Sequence, residues 1–309
     1  MIGFRAFGDK PVGNPQTAKF GPYDLGRTTV YAATQDPRFS YCLYVPPEFQ
    51  ASRVPPELVV VMHGSARTFT DFRDQFGDFG VAHNVLILCP LFPVSVRGDG
   101  NADGYKYISE SGIRYDEVLV SIVDEVSDRY RVGFNRFSMF GFSGGAQFTN
   151  RFLLLRPERL WAASLCAPGS VTLLSDEDDW WVGTRDLESR FGRALNNDAL
   201  SRVPVQMVVG SADLDTGEIT HHVGGRYWMP GANKAGRSRP ERLEALRSSL
   251  VEAGIYVTHE VLDGVGHDPA PMIDRAKQFL ALQLAQLRAL AATSSESASR
   301  PTSGLGHPP

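Results

Sequence analysis

Short apolar runs recur along the chain, and longer segments with mixed polarity separate them. Leu58 to Met62, for example, is continuously apolar and is followed directly by His63 and Gly64. Continuous runs of this length are typical of strands that are buried on both faces of a parallel sheet. Strands of this kind are predicted at residues 58–62, 84–89, 137–142, 160–166, 205–209 and 255–262, with Pro90 and Pro93 ending the second of them.

The segments between these runs carry a helical repeat. Residues 115–130 place apolar side chains on one stripe, as in a helix that packs one face on a sheet: Val118, Ile122, Val126 and Tyr130. Helices are also predicted at residues 69–83, 147–155, 241–253 and 269–291. The alternation of strands and helices predicts a mostly parallel sheet covered by helices on both faces, in one α/β domain.

The two ends of the chain and two inner segments differ from this pattern. Residues 28–33 and 39–45 alternate apolar and β-favouring side chains, which predicts two early strands that are compatible with antiparallel pairing. Residues 170–202 and 214–239 are too long for ordinary connections and are expected to form cap-like insertions. The Ser-, Ala- and Pro-rich residues 293–309 are expected to form a disordered tail, so the domain spans residues 1–292.

Composition narrows the classes of function. The 309 residues are 42% hydrophobic, which is enough for a large core, and the net charge of -4 argues against a nucleic-acid binder. No apolar run approaches the ~20 residues of a membrane span, and the first residues contain no apolar signal region. The three cysteines, Cys42, Cys89 and Cys166, lie in predicted strands as buried thiols. A cytoplasmic protein without membrane or nucleic-acid partners is expected; its oligomeric state stays open, a homodimer included.

The most specific motif is Gly141-Phe142-Ser143-Gly144-Gly145, which lies between a predicted strand and a predicted helix. A G-x-S-x-G sequence at such a junction indicates a nucleophile elbow, in which a tight turn holds the serine hydroxyl clear of the sheet. Small residues two positions before and after the serine avoid a clash between strand and helix. The helix N-terminus favours negative charge at this point.

A serine needs a base and an orienting acid to become a nucleophile. His267 follows the strand at 255–262 in a glycine-containing loop and is the candidate base. Asp213 lies just past the strand at 205–209 and is the candidate acid, with Asp215 as the alternative. The three groups follow one another along the chain in the order serine, aspartate, histidine.

Backbone N–H groups are the candidate donors to a developing oxyanion. One is expected on Gly144, the residue after the nucleophile, and the other on Ser65, in the loop that follows the strand at 58–62. His63 precedes that loop and is expected to shape it, since it ends the wrong strand to serve as the base.

With these residues, the chain resembles the α/β-hydrolase family over about residues 28–290, and within it the poly(3-hydroxybutyrate) depolymerase and feruloyl esterase type. The resemblance implies a central, mostly parallel sheet of about eight strands and no cofactor. It also implies a Ser143, Asp213 and His267 triad.

The sequence therefore predicts a serine hydrolase that acts on a small-molecule or oligomeric ester through an acyl-enzyme. An amidase or peptidase with the same triad remains an alternative, and a non-catalytic binding protein on the same fold is a third. Trp180 and Trp181 are candidates for lining the substrate pocket or for anchoring the insertion, and Arg67 for meeting an anionic substrate group. No metal is expected, because His221 and His222 lack a third ligand at a set spacing.

Overall fold

The computed structural model of the protein describes residues 18–52 and 54–298. Within these ranges, nine strands form one sheet in the order β1-β3-β5-β4-β8-β9-β10-β11, with β2 also paired to β3. The strands of the sheet are β1 (Gly26–Arg27), β2 (Tyr31–Ala32), β3 (Ser40–Val45), β4 (Glu57–Met62), β5 (Val85–Leu91), β8 (Phe137–Phe142), β9 (Leu160–Cys166), β10 (Val205–Gly210) and β11 (Val257–Leu262). A separate hairpin consists of β6 (Ser109–Glu110) and β7 (Ile113–Arg114).

The direction of the strands divides the sheet into two parts. Strand β3 runs antiparallel to β1, β2 and β5, whereas every pairing from β5 across to β11 is parallel. The helices are α1 (Phe69–His83), α2 (Tyr115–Tyr130), α3 (Gly144–Leu155), α4 (Leu187–Phe191), α5 (Asn197–Leu200), α6 (Arg239–Glu252) and α7 (Pro269–Ala298). The predicted mostly parallel sheet with flanking helices is confirmed.

Parallel strands end at one edge, and that edge positions the candidate site. The loops after β4, β8, β10 and β11 carry Ser65, Ser143, Asp213 and His267 in turn. Strands β4, β8 and β10, which lead to the first three, are almost wholly buried. Strand β11, which leads to His267, lies at the edge of the sheet and is mostly half-buried. The core therefore holds the ends of β4, β8 and β10, from which the first three loops start.

One strand boundary differs from the prediction. Pro90 does not end its strand; it lies inside β5, which continues to Leu91, and it pairs in register with Tyr41 of β3. Proline lacks the N–H donor but keeps its carbonyl, so a strand tolerates it where the partner does not need that donor.

The C-terminal end also differs. The sequence predicts a disordered tail from residue 293, whereas α7 continues through residue 298. Its last turns contain Ala289, Ala291 and Ala292, and alanine is the strongest helix former. The Thr293 hydroxyl donates to the carbonyl of Leu290 within the same helix. Residues 299–309 lie outside the described residues. None of the helices in the described ranges is both long and apolar enough to cross a membrane.

Candidate active site

Ser143 lies at a strained turn between β8 and α3. Its φ of 53° and ψ of -114° place a residue with a side chain in a rarely occupied backbone region. A Cβ on Gly141 would approach the Gly145 carbonyl oxygen to 2.3 Å, and a Cβ on Gly145 would approach the Met62 carbonyl oxygen to 2.3 Å. Both contacts are far below van der Waals distance, so the two glycines permit the turn.

The backbone of Ser143 is fixed on both sides of the turn. Its N–H donates to the carbonyl of Cys166 on β9 at 2.9 Å, and its carbonyl accepts from the N–H of Gln147 at 3.1 Å. The serine is the residue before α3, whose first N–H groups give that end a partial positive charge. A negative charge that develops near Ser143 would be stabilised by this helix end.

Asp213 and His267 are joined by a hydrogen bond. The Nδ1 atom of His267 lies 2.7 Å from Oδ2 of Asp213, and the side chain of Asp213 is only 1% exposed. An ionised carboxylate can only accept, so Nδ1 carries the hydrogen, and in a neutral imidazole Nε2 is then the acceptor. The imidazole ring packs on Phe142, the residue before the serine, with centroids 4.6 Å apart. The structure therefore brings the candidate acid, the candidate base and the elbow together.

The alternative acid lies elsewhere. The carboxylate of Asp215 is exposed and accepts from the N–H of Gly217 at 2.8 Å, which closes a local turn. The contact with His267 thus favours Asp213 over Asp215 as the orienting acid.

The loop after β4 lies against the elbow. A Cβ on Gly64 would lie 3.6 Å from the Cβ of Ser143, and a Cβ on Gly144 would lie 3.3 Å from Oγ of Ser65. The two residues predicted to donate to an oxyanion are therefore neighbours in space and flank the serine.

His63 holds this loop from inside the core. Its Nδ1 lies 2.8 Å from the Gly64 carbonyl oxygen, and its Nε2 lies 3.0 Å from the Phe92 backbone nitrogen. A carbonyl only accepts and a backbone N–H only donates, so the hydrogen is on Nδ1. Burial lowers the pKa of His63 to about 4, and the ring stays neutral at pH 7.

This pKa gives a testable dependence of stability on pH. The unfolded chain takes up a proton near pH ~6.5 and the folded chain only near pH 4, so folding loses up to about 3 kcal/mol between these values. The wild type should lose free energy of unfolding between pH 7 and pH 5, and His63→Gln should lose about 2 kcal/mol less over the same range. Urea unfolding at the two pH values measures both losses. Equal losses in both proteins would contradict the assignment, since His221, whose burial also lowers its pKa to about 4, is common to both.

Arg67 braces the loops around the site. Its guanidinium donates to the backbone carbonyls of Ser65 at 2.5 Å and of Phe92 at 3.2 Å, and also to that of Ala102. It lies over the ring of Tyr105, 5.1 Å from the centroid. These contacts engage all of its nitrogen atoms, so the geometry favours a structural role over a contact with an anionic substrate group, for which Arg67 was only a candidate.

An open cleft of about 490 Å³ lies between residues 99–107 and the insertion of residues 214–239, and neither Ser143 nor His267 is among its lining residues. Gln147, one turn into α3, forms part of its floor and links it to Ser143. The stacked rings of Tyr107 and Tyr227, 3.8 Å apart, form part of its wall. This wall was not predicted from the sequence; the available signal was aromatic residues beside Gly- and Asp-rich loops.

Charged groups in the cleft occur mainly as pairs. Lys106 lies 2.5 Å from Asp103, and Arg226 lies 3.2 Å from Asp99. The opposite charges of each pair offset one another, so this part of the cleft is polar with little net charge.

Trp180 and Trp181 anchor the insertion of residues 170–202. Both are buried, and their indole N–H groups donate to the backbone carbonyls of Tyr107 and Tyr227. Among the described residues that line the cleft, neither indole is included. Of the two predicted roles, the structure favours anchoring.

The positions of the possible metal-ligating side chains bear on the metal prediction. Among residues 18–52 and 54–298, no three His, Cys, Asp or Glu side chains come together as a metal site. His221 packs on Trp181 with ring centroids 4.6 Å apart.

Comparisons with known proteins give the fold a name. No protein-family model matches the chain, and no curated protein matches its sequence. A poly(3-hydroxybutyrate) depolymerase from Bordetella parapertussis is 22% identical, with a TM-score of 0.65 over 85% of this chain and 95% of that chain. A poly(aspartic acid) hydrolase from Sphingomonas sp. KT-1 is 18% identical, with a TM-score of 0.60 over 78% and 92%.

A third solved structure, a ferulic acid esterase, is 13% identical, with a TM-score of 0.51 over 80% of this chain and 92% of that chain. These likenesses show that the chain has the α/β-hydrolase fold. The similarity to the depolymerase and feruloyl esterase type, expected from the sequence, is confirmed for the fold.

Proposed function

We propose that the protein is a serine hydrolase that cleaves carboxylic esters through an acyl-enzyme on Ser143. One observation carries the proposal: the buried Asp213 orients His267 at 2.7 Å, with the imidazole packed beside a strained serine elbow. Orienting acid, base and nucleophile arranged in this way are the parts that acyl transfer requires.

The first half of the reaction forms the acyl-enzyme. The Ser143 hydroxyl attacks the ester carbonyl carbon while Nε2 of His267 accepts its proton. The N–H groups of Ser65 and Gly144 donate to the oxyanion. The intermediate then collapses, the carbon–oxygen bond to the alcohol breaks, and the imidazolium returns the proton to the leaving alcohol.

The second half hydrolyses the acyl-enzyme. His267 takes a proton from a water molecule, and the resulting nucleophile attacks the acyl carbon. The collapse of the second intermediate releases the carboxylic acid and returns the proton to Ser143. Asp213 keeps the imidazole in the tautomer with hydrogen on Nδ1 and stabilises the imidazolium without accepting the proton.

The cleft supports a substrate of small-molecule or short oligomeric size, because pockets of about 300–1,000 Å³ bury ligands of that kind. Its aromatic wall and polar floor suit an acyl chain with repeated carbonyl groups. No cofactor is needed for this chemistry.

Amide hydrolysis is the second candidate function. The same residues serve it, because the imidazolium of His267 can protonate an amine leaving group. One protein of similar fold is a poly(aspartic acid) hydrolase, and poly(aspartic acid) is joined by amide bonds.

The test compares ester and amide turnover on matched substrates. 4-Nitrophenyl esters and 4-nitroanilides with the same acyl groups should both be assayed, with a fluorophosphonate probe applied to the folded protein and the adduct mapped. We expect labelling at Ser143 and a higher kcat/KM for the esters. Preference for the anilides would favour the amidase, and a folded protein with neither labelling nor turnover would leave the non-catalytic binding protein.

A further inference from the structure

The second oxygen of Asp213 has its own buried partner. Nη1 of Arg239 donates to Oδ1 at 2.9 Å, while Oδ2 accepts from His267. The side chains of Arg239 and Asp213 are 3% and 1% exposed, so water has little access to the pair.

Arg239 reaches this position because of how α6 begins. Ser238 caps the helix, its hydroxyl accepting from the N–H of Glu241, and Arg239 is the first residue of the helix. Pro240 follows in the first turn, where a missing N–H costs nothing. Helix α6 thus starts with a fixed backbone that directs the guanidinium toward the end of β10.

The guanidinium also contacts the residues that follow Asp213 in the chain. Its Nη1 lies 3.5 Å from the Asp215 carbonyl oxygen, and its Nη2 lies 3.6 Å from the carboxylate of Glu218. Glu218 lines the cleft. The residue therefore touches the orienting acid, the loop behind it and the cleft wall.

Because the pair is buried, the loss of Arg239 would strongly affect the Asp213 carboxylate. An ionised carboxylate removed from water is strongly destabilised unless hydrogen bonds and a counter-charge compensate. His267 occupies Oδ2 of Asp213, and without Arg239 the other oxygen, Oδ1, would lose its donor. A carboxylate held at both oxygens by two separate groups is restrained from rotating about its Cβ–Cγ bond.

We propose that Arg239 is a positioning residue for hydrolysis: it fixes the Asp213 carboxylate so that Oδ2 stays aligned with Nδ1 of His267. The proposal rests on the proposed function, and it assigns Arg239 no contact with the reacting atoms. A rival explanation is that Arg239 only stabilises the fold by neutralising a buried carboxylate.

Three variants separate these explanations. Arg239→Gln removes the charge and the guanidinium group, and Arg239→Lys keeps the charge on a single ammonium donor. Arg156→Gln is the matched control, since Arg156 is also buried and donates to the buried Asp116 at 2.8 Å, at the far end of α3. It should lose stability as Arg239→Gln does, without a change at the active site.

The expected result is a split between kcat and KM. Arg239→Gln should lower kcat by about 10²-fold with KM little changed, because small misplacement of a catalytic group costs about this much. Arg239→Lys should recover kcat to within about tenfold of the wild type. Arg156→Gln should retain the wild-type kcat despite a lower melting temperature.

A spectroscopic measurement tests the positioning without turnover. The proton shared by Nδ1 of His267 and Asp213 should give a low-field NMR resonance that persists in the wild type, Arg239→Lys and Arg156→Gln. It should be lost or move upfield in Arg239→Gln. An unchanged resonance and an unchanged kcat in Arg239→Gln would overturn the proposal. If the wild type hydrolyses nothing, the function fails while the resonance still tests the role of Arg239.

Discussion

A Ser143→Ala variant is expected to hydrolyse esters about 10⁴- to 10⁶-fold more slowly than the wild type, since no other group can form the acyl-enzyme. The residual rate would come from substrate binding and from the oxyanion donors, which the substitution leaves in place. Initial rates with a 4-nitrophenyl ester measure the loss, and fluorophosphonate labelling should vanish in parallel.

The substitution is well suited to this measurement because it leaves the turn intact. Alanine keeps the Cβ, so the cost of a φ of 53° is already present in the wild type. Ser138 provides the matched control: it lies on the same strand, β8, and is fully buried. Ser138→Ala should retain activity. Full activity in Ser143→Ala, or equal losses in both variants, would contradict the proposed nucleophile.

Local patterns were sufficient to predict most of the secondary structure. The helix predicted at residues 69–83 begins and ends as α1 does, and the helix at 115–130 matches α2. Each buries an apolar stripe and has a residue in the left-handed conformation at its end, Asn84 and Arg131. Periodicity and chain order also placed Ser143, Asp213 and His267 at the same edge, because parallel strands end together.

Contacts between distant segments could not be predicted in this way. Arg239 is 26 residues from Asp213 in the chain and meets it only because α6 packs behind β10. The tryptophans gave an ambiguous signal, since indoles line pockets and anchor loops equally well in a sequence. The charge pairs of the cleft, such as Lys106 with Asp103, depend on the paths of long loops that no periodicity describes.

The identity of the orienting acid can be decided by two conservative variants. Asp213→Asn should lower kcat by about 10⁴-fold, as expected for a triad with the wrong imidazole tautomer. Asp215→Asn should stay within a few fold of the wild type, because an asparagine Oδ1 can still accept from the N–H of Gly217.

Arg239 makes the outcome of Asp213→Asn particularly definite. The guanidinium can only donate, so it must face the amide oxygen of the new asparagine, which directs the NH₂ group toward Nδ1 of His267. Nδ1 would then have to accept, and the hydrogen would move to Nε2, which could no longer take the proton from Ser143. The loss should therefore appear in kcat with the fold preserved by circular dichroism. A near-normal kcat in Asp213→Asn with a large loss in Asp215→Asn would reverse the assignment of the acid.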